Sequence, residues 1–220
     1  MEGKGRVSVV YFGEGAASEG DFHAGMNMAC TLECPVVFVC RNNGYAISTP
    51  TEDQYRGDGI APRGVAYGMR TIRVDGNDTF AVLHATKEAR AYASEHSKPV
   101  LIETMAYREG HHSTSDDSTA YREPEEIAHF RAKMNPVVRL RNFLERRGWW
   151  DEDKEQAAAK LERRGVLKAL TSAENKPKPG VEHLFTDVYA GEELPWHLKE
   201  QKEELEKHMA KYPEHYSGGH

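Results

Sequence analysis

The sequence predicts an α/β fold: a mostly parallel sheet flanked by helices, followed by a helical C-terminal region. Three observations lead to this prediction. Short apolar runs alternate with segments of helical periodicity in the first half of the chain, as in β-α-β units. The apolar runs lack the polar alternation of half-exposed strands, which is typical of parallel strands covered on both faces. Beyond residue 122, apolar stripes recur at helical spacing among many charged residues.

The first β-α-β unit begins close to the N-terminus. Residues 6–12 form an apolar, β-branched run ending at a glycine turn, which predicts a buried strand. Apolar and small residues at helical spacing over residues 19–32 predict the following helix, which Pro35 ends. The run Val36–Cys40, bounded by Pro35 and an Asn-Asn-Gly turn, predicts the second strand.

The alternation continues with a third strand at residues 71–74, a helix at 79–96 and a fourth strand at 100–107. A polar loop follows, residues 108–122, whose length and composition suggest function. Three further helices are predicted at residues 136–148, 151–173 and 195–212. We therefore expect an α/β domain over residues 1–135, including the loop 108–122, and a helical region over residues 136–220 that packs and makes subunit contacts.

The bulk composition is that of a globular protein, with 220 residues, 39% of them hydrophobic and 29% charged. The formal net charge of −6 disfavours binding to nucleic acid or an anionic membrane, because both require a basic surface. The apolar runs are too short for membrane insertion. Three cysteines, Cys30, Cys34 and Cys40, indicate free thiols in a reducing compartment rather than a disulfide framework.

Two consecutive strands end in chemically unusual turns, at the sheet edge where ligands bind in parallel α/β folds. The turns are Gly13-Glu14-Gly15-Ala16 and Arg41-Asn42-Asn43-Gly44-Tyr45. Small residues and the N–H groups at a helix start suit a diphosphate. Glu14 would repel that diphosphate unless Mg²⁺ lay between them, and the second turn offers an amide oxygen, a carbonyl and a cation. Either turn alone is also typical of ordinary chain reversal; their joint position favours the cofactor site.

A Gly-acid-Gly turn with Asn-Asn after the next strand resembles the thiamine-diphosphate motif Gly-Asp-Gly … Asn-Asn. With glutamate as the acid, it is similar to alpha subunits of the 2-oxo acid dehydrogenases. The resemblance implies that Mg²⁺ is held by Glu14, the Asn43 side chain and the Tyr45 carbonyl. The cofactor-binding residues that it implies are Gly13, Glu14, Gly15, Ala16, Arg41, Asn43 and His112. Glutamate lengthens the acid by one methylene group relative to the motif.

The loop 108–122 resembles the phosphorylation loop of the branched-chain members of this family, and the doubled His111-His112 favours them over the pyruvate enzyme. The resemblance implies that His112 is the catalytic histidine beside the cofactor and that Ser113 is the regulatory phosphorylation site. It also assigns four residues to ordering the loop for a lipoyl domain: Arg108, Asp116, Tyr121 and Arg122. The family's second regulatory serine falls at Glu123, so we expect control at one site. A polar surface loop without function is the alternative.

The resemblance implies an alpha subunit that acts in oxidative decarboxylation of branched-chain 2-oxo acids, with acyl transfer to lipoamide. The implied cofactors are thiamine diphosphate and Mg²⁺, and the family's potassium site falls on residues outside this chain. The implied partners are a beta subunit in an α2β2 heterotetramer, a lipoyl-bearing transacylase, and a regulatory kinase and phosphatase, in the mitochondrial matrix. A beta-subunit glutamate activates the cofactor in this family, so we expect no activity from this chain alone.

Alpha subunits of this family carry further residues upstream, so the resemblance implies an N-terminally truncated chain with one open sheet edge and exposed apolar surface. Residues 1–6 lack the character of an organellar presequence. Two alternatives stay open: a non-catalytic fragment that only binds partner subunits, and a nicotinamide-dependent oxidoreductase. Against the latter, Ser18 replaces the third glycine of Gly-x-Gly-x-x-Gly, and Arg41 stands where an acid would bind ribose.

Overall fold

A computed structural model describes residues 5–186, 189–191 and 193–216 of the chain. Residues 1–4, which we compared with a presequence, lie outside these ranges. The chain divides into two compact units, one ending at Trp150 and one beginning at Asp151. The helix predicted at residues 136–148 therefore lies in the first unit.

The first unit contains a four-stranded parallel sheet, which confirms the predicted fold class. In chain order the strands are β1 (Ser8–Gly13), β2 (Val36–Asn42), β3 (Tyr45–Ala46), β4 (Thr49–Pro50), β5 (Arg70–Asp75) and β6 (Val100–Met105). The sheet has the order β1-β2-β6-β5, and β3 and β4 form a separate antiparallel hairpin. The carboxyl ends of β1 and β2 are adjacent, because Gly13 pairs with Arg41.

Helices flank this sheet and make up the regular structure of the second unit. The first unit has α1 (Gly20–Thr31), α2 (Thr51–Gln54), α3 (Ala61–Ala66), α4 (Thr79–His96), α5 (Pro124–Lys133) and α6 (Pro136–Arg146). The second has α7 (Glu152–Glu174) and α8 (Trp196–Lys211). Helices α1, α4, α6, α7 and α8 were predicted. The β3–β4 hairpin, α2, α3 and α5 were not, because these segments are too short or too polar to show a clear period.

Apolar clusters cover both faces of the sheet. Successive side chains of a strand point to opposite faces, so Leu101 and Ile102 of β6 belong to different clusters. Leu101 packs with Met26 of α1 and with Ile60, whereas Ile102 packs with Ala89 of α4. Strand β6, one of the two inner strands, is therefore buried, as expected for a parallel sheet.

Strand β1 forms where the sequence predicts it, but it is not buried. Within the described residues it pairs on one side only, and Val9, Val10 and Tyr11 are 49%, 41% and 76% exposed. Its apolar sequence predicts a covered strand, whereas its position at the sheet edge leaves it open on both faces. The expected exposed apolar surface lies here.

The three cysteines are free thiols. Cys40 is fully buried in β2, and burial raises its pKa far above the ordinary value. Among the described residues, no helix is both long and apolar enough to cross a membrane.

Candidate functional site

The adjacent ends of β1 and β2 bring Glu14 and Asn43 together. Glu14 follows β1 directly and is only 1% exposed. The backbone N–H of Asn43 donates to Glu14 Oε2 at 3.2 Å. The acid of the first turn thus lies against the second turn.

The other oxygen of this carboxylate, Glu14 Oε1, is buried and has no hydrogen-bond partner among the described residues. Removing a carboxylate from water without compensation costs several kcal/mol, so such groups are usually paired or bind a metal. A cation at Oε1 would satisfy this atom. The donor set therefore fits a metal ion such as Mg²⁺.

Side-chain hydrogen bonds hold the second turn in shape. Asn43 Oδ1 accepts from the Tyr45 N–H at 3.1 Å, and Asn42 Oδ1 accepts from the Gly44 N–H at 3.1 Å. Gly44 has φ +85°, a conformation that favours glycine. Because an amide oxygen has two lone pairs, Asn43 Oδ1 can still accept a metal ion.

The first turn passes very close to the β3–β4 hairpin. A Cβ atom on Gly15 would lie 2.8 Å from the Cβ of Ala46, so only glycine fits. The 3-10 turn at Ala16–Ser18 begins with a hydrogen bond from the Ala17 N–H to the Glu14 carbonyl. The N–H groups of Gly15 and Ala16 precede this bond, as in the anion sites at the start of helices. Arg41 lies beside Gly13 at the end of β2 and is exposed.

A cavity of about 590 Å³ adjoins the second turn and is lined by residues that include Asn42, Asn43 and Tyr45. This volume is within the usual range for small-molecule sites, ~300–1,000 Å³. Among the described residues, no group of three or more His, Cys, Asp or Glu side chains is arranged to hold a metal. The predicted magnesium set has one carboxylate only, and Mg²⁺ commonly takes few protein ligands besides phosphate and water.

The loop 108–122 is attached to the same hairpin through Arg108, which is 9% exposed. Its Nη2 donates to the Ile47 carbonyl at 2.8 Å and to the Tyr121 hydroxyl at 2.6 Å. Tyr121 donates in turn to Asp116 Oδ2 at 2.7 Å, which also accepts from the His112 N–H at 2.8 Å. These hydrogen bonds, led by that of His112, hold the pKa of Asp116 below its ordinary value.

Arg122 is a buried residue that binds the backbone of the loop. It is 3% exposed and donates to the carbonyls of Arg108 and Gly110. All four residues predicted to order the loop therefore take part in its hydrogen bonds.

His112 and Ser113 are exposed on this loop. Ser113 Oγ lies 3.2 Å from Ser115 Oγ, and among the described residues the His112 ring has no hydrogen-bond partner. The neighbouring His111 ring does have partners. His111 Nδ1 accepts from the Ser118 N–H at 3.0 Å and lies 3.0 Å from the Ser118 hydroxyl. No role was predicted for His111, which stabilises the loop through these hydrogen bonds. The His112 ring, in contrast, remains exposed.

Two buried polar residues near the site received no individual role from the sequence: Asn42, predicted only as part of the second turn, and Glu103, which was not predicted at the site. Asn42 is 3% exposed and Glu103 is fully buried, with a hydrogen bond of 2.8 Å from Asn42 Nδ2 to Glu103 Oε1. Glu103 had a visible signal, an acid in the middle of the apolar run of β6.

Comparison with known proteins identifies the family of this chain. Residues 1–182 match the family described as "Dehydrogenase E1 component". The chain is 58% identical over 215 residues to the human protein named "2-oxoisovalerate dehydrogenase subunit alpha, mitochondrial", covering 98% of this chain and 48% of that protein. Proteins of the same name are 56% identical over 211 residues in Caenorhabditis elegans (96% and 48% covered) and 52% identical over 217 residues in Dictyostelium discoideum (98% and 49% covered).

The chain spans about half the length of these curated relatives. The family match covers most of the chain, including both turns and the loop 108–122. The parallel sheet, the Glu14–Asn43 contact and these similarities agree, and the chain belongs to the dehydrogenase E1 component family.

Proposed function

We propose that this chain provides the magnesium and diphosphate site of the alpha subunit of a thiamine-diphosphate-dependent branched-chain 2-oxo acid dehydrogenase. The observation that carries the proposal is Glu14 Oε1, a buried carboxylate oxygen without a partner, next to Asn43. Family membership implies dependence on thiamine diphosphate. The relatives' names, with 2-oxoisovalerate as substrate, support the branched-chain assignment.

In this proposal, the chain's residues hold the cofactor by its diphosphate end. Glu14 Oε1, Asn43 Oδ1 and the Tyr45 carbonyl bind Mg²⁺. The N–H groups of Gly15 and Ala16 bind phosphate oxygens, and Gly13 lets the backbone approach them. Arg41, exposed at the end of β2, adds a positive charge for the diphosphate.

When bound, thiamine diphosphate supplies the electron sink for decarboxylation of the 2-oxo acid. His112 is the catalytic residue of the loop in this proposal. Its exposed imidazole would act in proton transfer, since a neutral imidazole carries one donor and one acceptor nitrogen; the neighbouring His111 ring instead forms hydrogen bonds within the loop. The loop that carries this imidazole is ordered by the hydrogen bonds of Arg108, Asp116, Tyr121 and Arg122.

The proposal includes partners that complete the enzyme. The name "subunit alpha" of the relatives supports a beta subunit, which would give the α2β2 heterotetramer. The ordered loop would face the lipoyl domain of a transacylase, and a kinase and a phosphatase would act on Ser113. The relatives are named mitochondrial, which supports a site of action in the mitochondrial matrix.

Calorimetric titration with thiamine diphosphate tests the proposal, with and without Mg²⁺, in the presence and absence of the beta subunit. We expect saturable, Mg²⁺-dependent binding that Glu14→Ala abolishes, because the substitution removes the only carboxylate of the metal set. Glu19→Ala is the matched control, since that acid is exposed and lies outside the set.

Binding that is independent of Mg²⁺ or insensitive to Glu14→Ala would contradict the proposed site. An absence of binding heat under both conditions would favour a chain that only binds partner subunits.

A further inference from the structure

Glu103 is a buried acid to which the proposed site assigns no role. It lies in the inner strand β6, between Cys40 of β2 and Arg73 of β5 in the register of the sheet. Its exposed fraction is 0%. A charged group in this position needs several specific partners to remain stable.

Four N–H donors surround the Glu103 carboxylate. Oε1 accepts from Asn42 Nδ2 and from the Ile60 N–H, both at 2.8 Å. Oε2 accepts from the Ala61 N–H at 2.8 Å and from Arg73 Nε at 2.9 Å. Burial alone would raise the pKa of Glu103, but these hydrogen bonds outweigh burial and hold it below the ordinary value. Glu103 is therefore an ionised acceptor for all four donors.

The backbone before α3 is shaped around this carboxylate. Gly59 has φ +70°, and a Cβ there would lie 2.6 Å from Glu103 Oε1 and 2.7 Å from Arg73 Nη2. Glycine at this position allows the Ile60 and Ala61 N–H groups to reach Glu103. The arrangement is specific for a carboxylate, because an amide would direct its own N–H donors at two of the four.

Asn42 connects Glu103 to the second turn. A carboxylate only accepts hydrogen bonds, so it orients the Asn42 amide with Nδ2 inward and Oδ1 toward the Gly44 N–H. That bond shapes the turn in which the Asn43 N–H reaches Glu14 and Asn43 Oδ1 receives the Tyr45 N–H. A change at Glu103 would rotate or release Asn42 and loosen this turn.

We propose that Glu103 is a positioning residue of the magnesium and diphosphate site, acting through Asn42 to fix the turn that carries Asn43 and Tyr45. The proposal rests on the proposed function. Glu103 does not touch the metal set itself, since its four hydrogen bonds go to Asn42, Ile60, Ala61 and Arg73.

The test compares Glu103→Gln, Asn42→Ala and the double variant in the assembled enzyme that contains this chain. Hydrogen exchange is measured without cofactor over residues 42–46, and Mg²⁺ affinity is measured by calorimetry at saturating thiamine diphosphate. We expect faster exchange of the turn, and Mg²⁺ affinity about tenfold lower in each single variant, as is typical for residues that orient metal ligands. The double variant should be no weaker than the weaker single variant, because both act along one path.

Ile102→Ala is the matched control, because Ile102 is equally buried on the same strand but belongs to the opposite face of the sheet. It should lower the melting temperature while leaving the turn's exchange and the Mg²⁺ affinity unchanged. Loss of Mg²⁺ affinity in Ile102→Ala as large as in Glu103→Gln would overturn the proposal, since the effect would then follow stability alone.

Additive effects of the two substitutions, or unchanged exchange of the turn in Glu103→Gln, would also overturn it. Should Glu103→Gln not fold, Asn42→Ala alone must speed exchange over residues 43–45, and its failure to do so overturns the proposal. If the wild-type protein bound thiamine diphosphate without Mg²⁺, the proposed function would fail, and the exchange measurement would still decide whether Glu103 fixes the turn.

Discussion

At Gly15, the structure of the site depends on the absence of a side chain. Its backbone is in the ordinary helical region (φ −61°), so alanine is allowed there by conformation. The added Cβ would nevertheless lie 2.8 Å from Ala46 Cβ, and neither atom can move without its backbone. The close approach joins the first turn to the hairpin that also receives Arg108 of the loop.

Gly15→Ala should therefore displace the β3–β4 hairpin from the first turn. We expect a loss of about 1–3 kcal/mol in the free energy of unfolding, typical of overpacking, together with weaker Mg²⁺-dependent cofactor binding. Denaturant titration and calorimetry measure the two effects. Gly25→Ala in α1 is the control, because a Cβ there has no neighbour within 4 Å; it should stabilise by ~0.5–1 kcal/mol without changing binding. Equal behaviour of the two variants would contradict the packing argument.

Ser113 is the residue at which we propose that a single added charge regulates the loop. It is exposed, and Asp116, which accepts hydrogen bonds from the His112 N–H and Tyr121, follows three residues later. A phosphate on Ser113 adds about −1.5 to −2 charge, which repels the Asp116 carboxylate and opposes the hydrogen bonds that order the loop.

We predict that Ser113→Glu abolishes overall oxidative flux in the complex assembled with the transacylase and increases protease cleavage within residues 108–122. Ser113→Ala should keep both properties close to wild type, because it removes only the contact with Ser115. Unchanged flux in Ser113→Glu with the transacylase present would refute the prediction.

At the scale of elements, the sheet strands and the longer helices could be predicted from the sequence. The strands are continuous apolar runs, the helices are long segments of helical spacing, and turn residues such as Gly, Pro or Asn separate them. The β3–β4 hairpin could not be predicted, since two-residue strands have no period and Ile47 turns with φ +58°, unusual for a β-branched residue. The same limit applies to the site: the motif predicts Glu14 and Asn43, whereas the role of Glu103 depends on contacts between residues distant in sequence.

An ion pair fastens α6 to the end of β5. Arg139 Nη1 donates to Asp75 Oδ2 at 2.7 Å, and the Asn77 N–H donates to Asp75 Oδ1 at 2.9 Å. Burial would raise the pKa of Asp75, but these hydrogen bonds outweigh it, so its pKa lies below the ordinary value of 3.8. A lowered pKa means that the pair stabilises the fold above pH 3.8 and that this contribution is lost as the pH falls through the lowered pKa.

Asp75→Asn should therefore destabilise the protein at neutral pH, and the difference from wild type should shrink below about pH 3.8. Because both side chains are about a third or more exposed, solvent screening limits the loss to roughly 0.5–1 kcal/mol. Thermal unfolding at a series of pH values measures it. Glu145→Gln, which removes an exposed pair on the same helix, should change stability by less than ~0.5 kcal/mol. A pH-independent difference for Asp75→Asn would refute the assignment.

At the scale of the whole molecule, the proposed site would supply only part of what a metal and a diphosphate need. The proposed ligands Glu14, Asn43 and Tyr45 would offer three oxygens, whereas Mg²⁺ takes six ligands in a near-octahedral arrangement. Phosphate and water oxygens must complete the set. The chain also spans about half the length of its relatives.

The open edge at β1 gives the last prediction. Val9, Val10 and Tyr11 are exposed on a strand that, in the described part of the chain, pairs on one side only. Unpaired apolar edges associate with one another. We expect the isolated chain to self-associate through β1, and Tyr11→Lys to raise the concentration at which this occurs by about tenfold, since a lysine on an edge strand opposes pairing. Sedimentation velocity over a concentration series measures the effect. Val137→Lys on α6, where the valine is 70% exposed, is the control for added charge alone. An equal increase in the self-association concentration of both variants would show that net charge, and not the β1 edge, governs association.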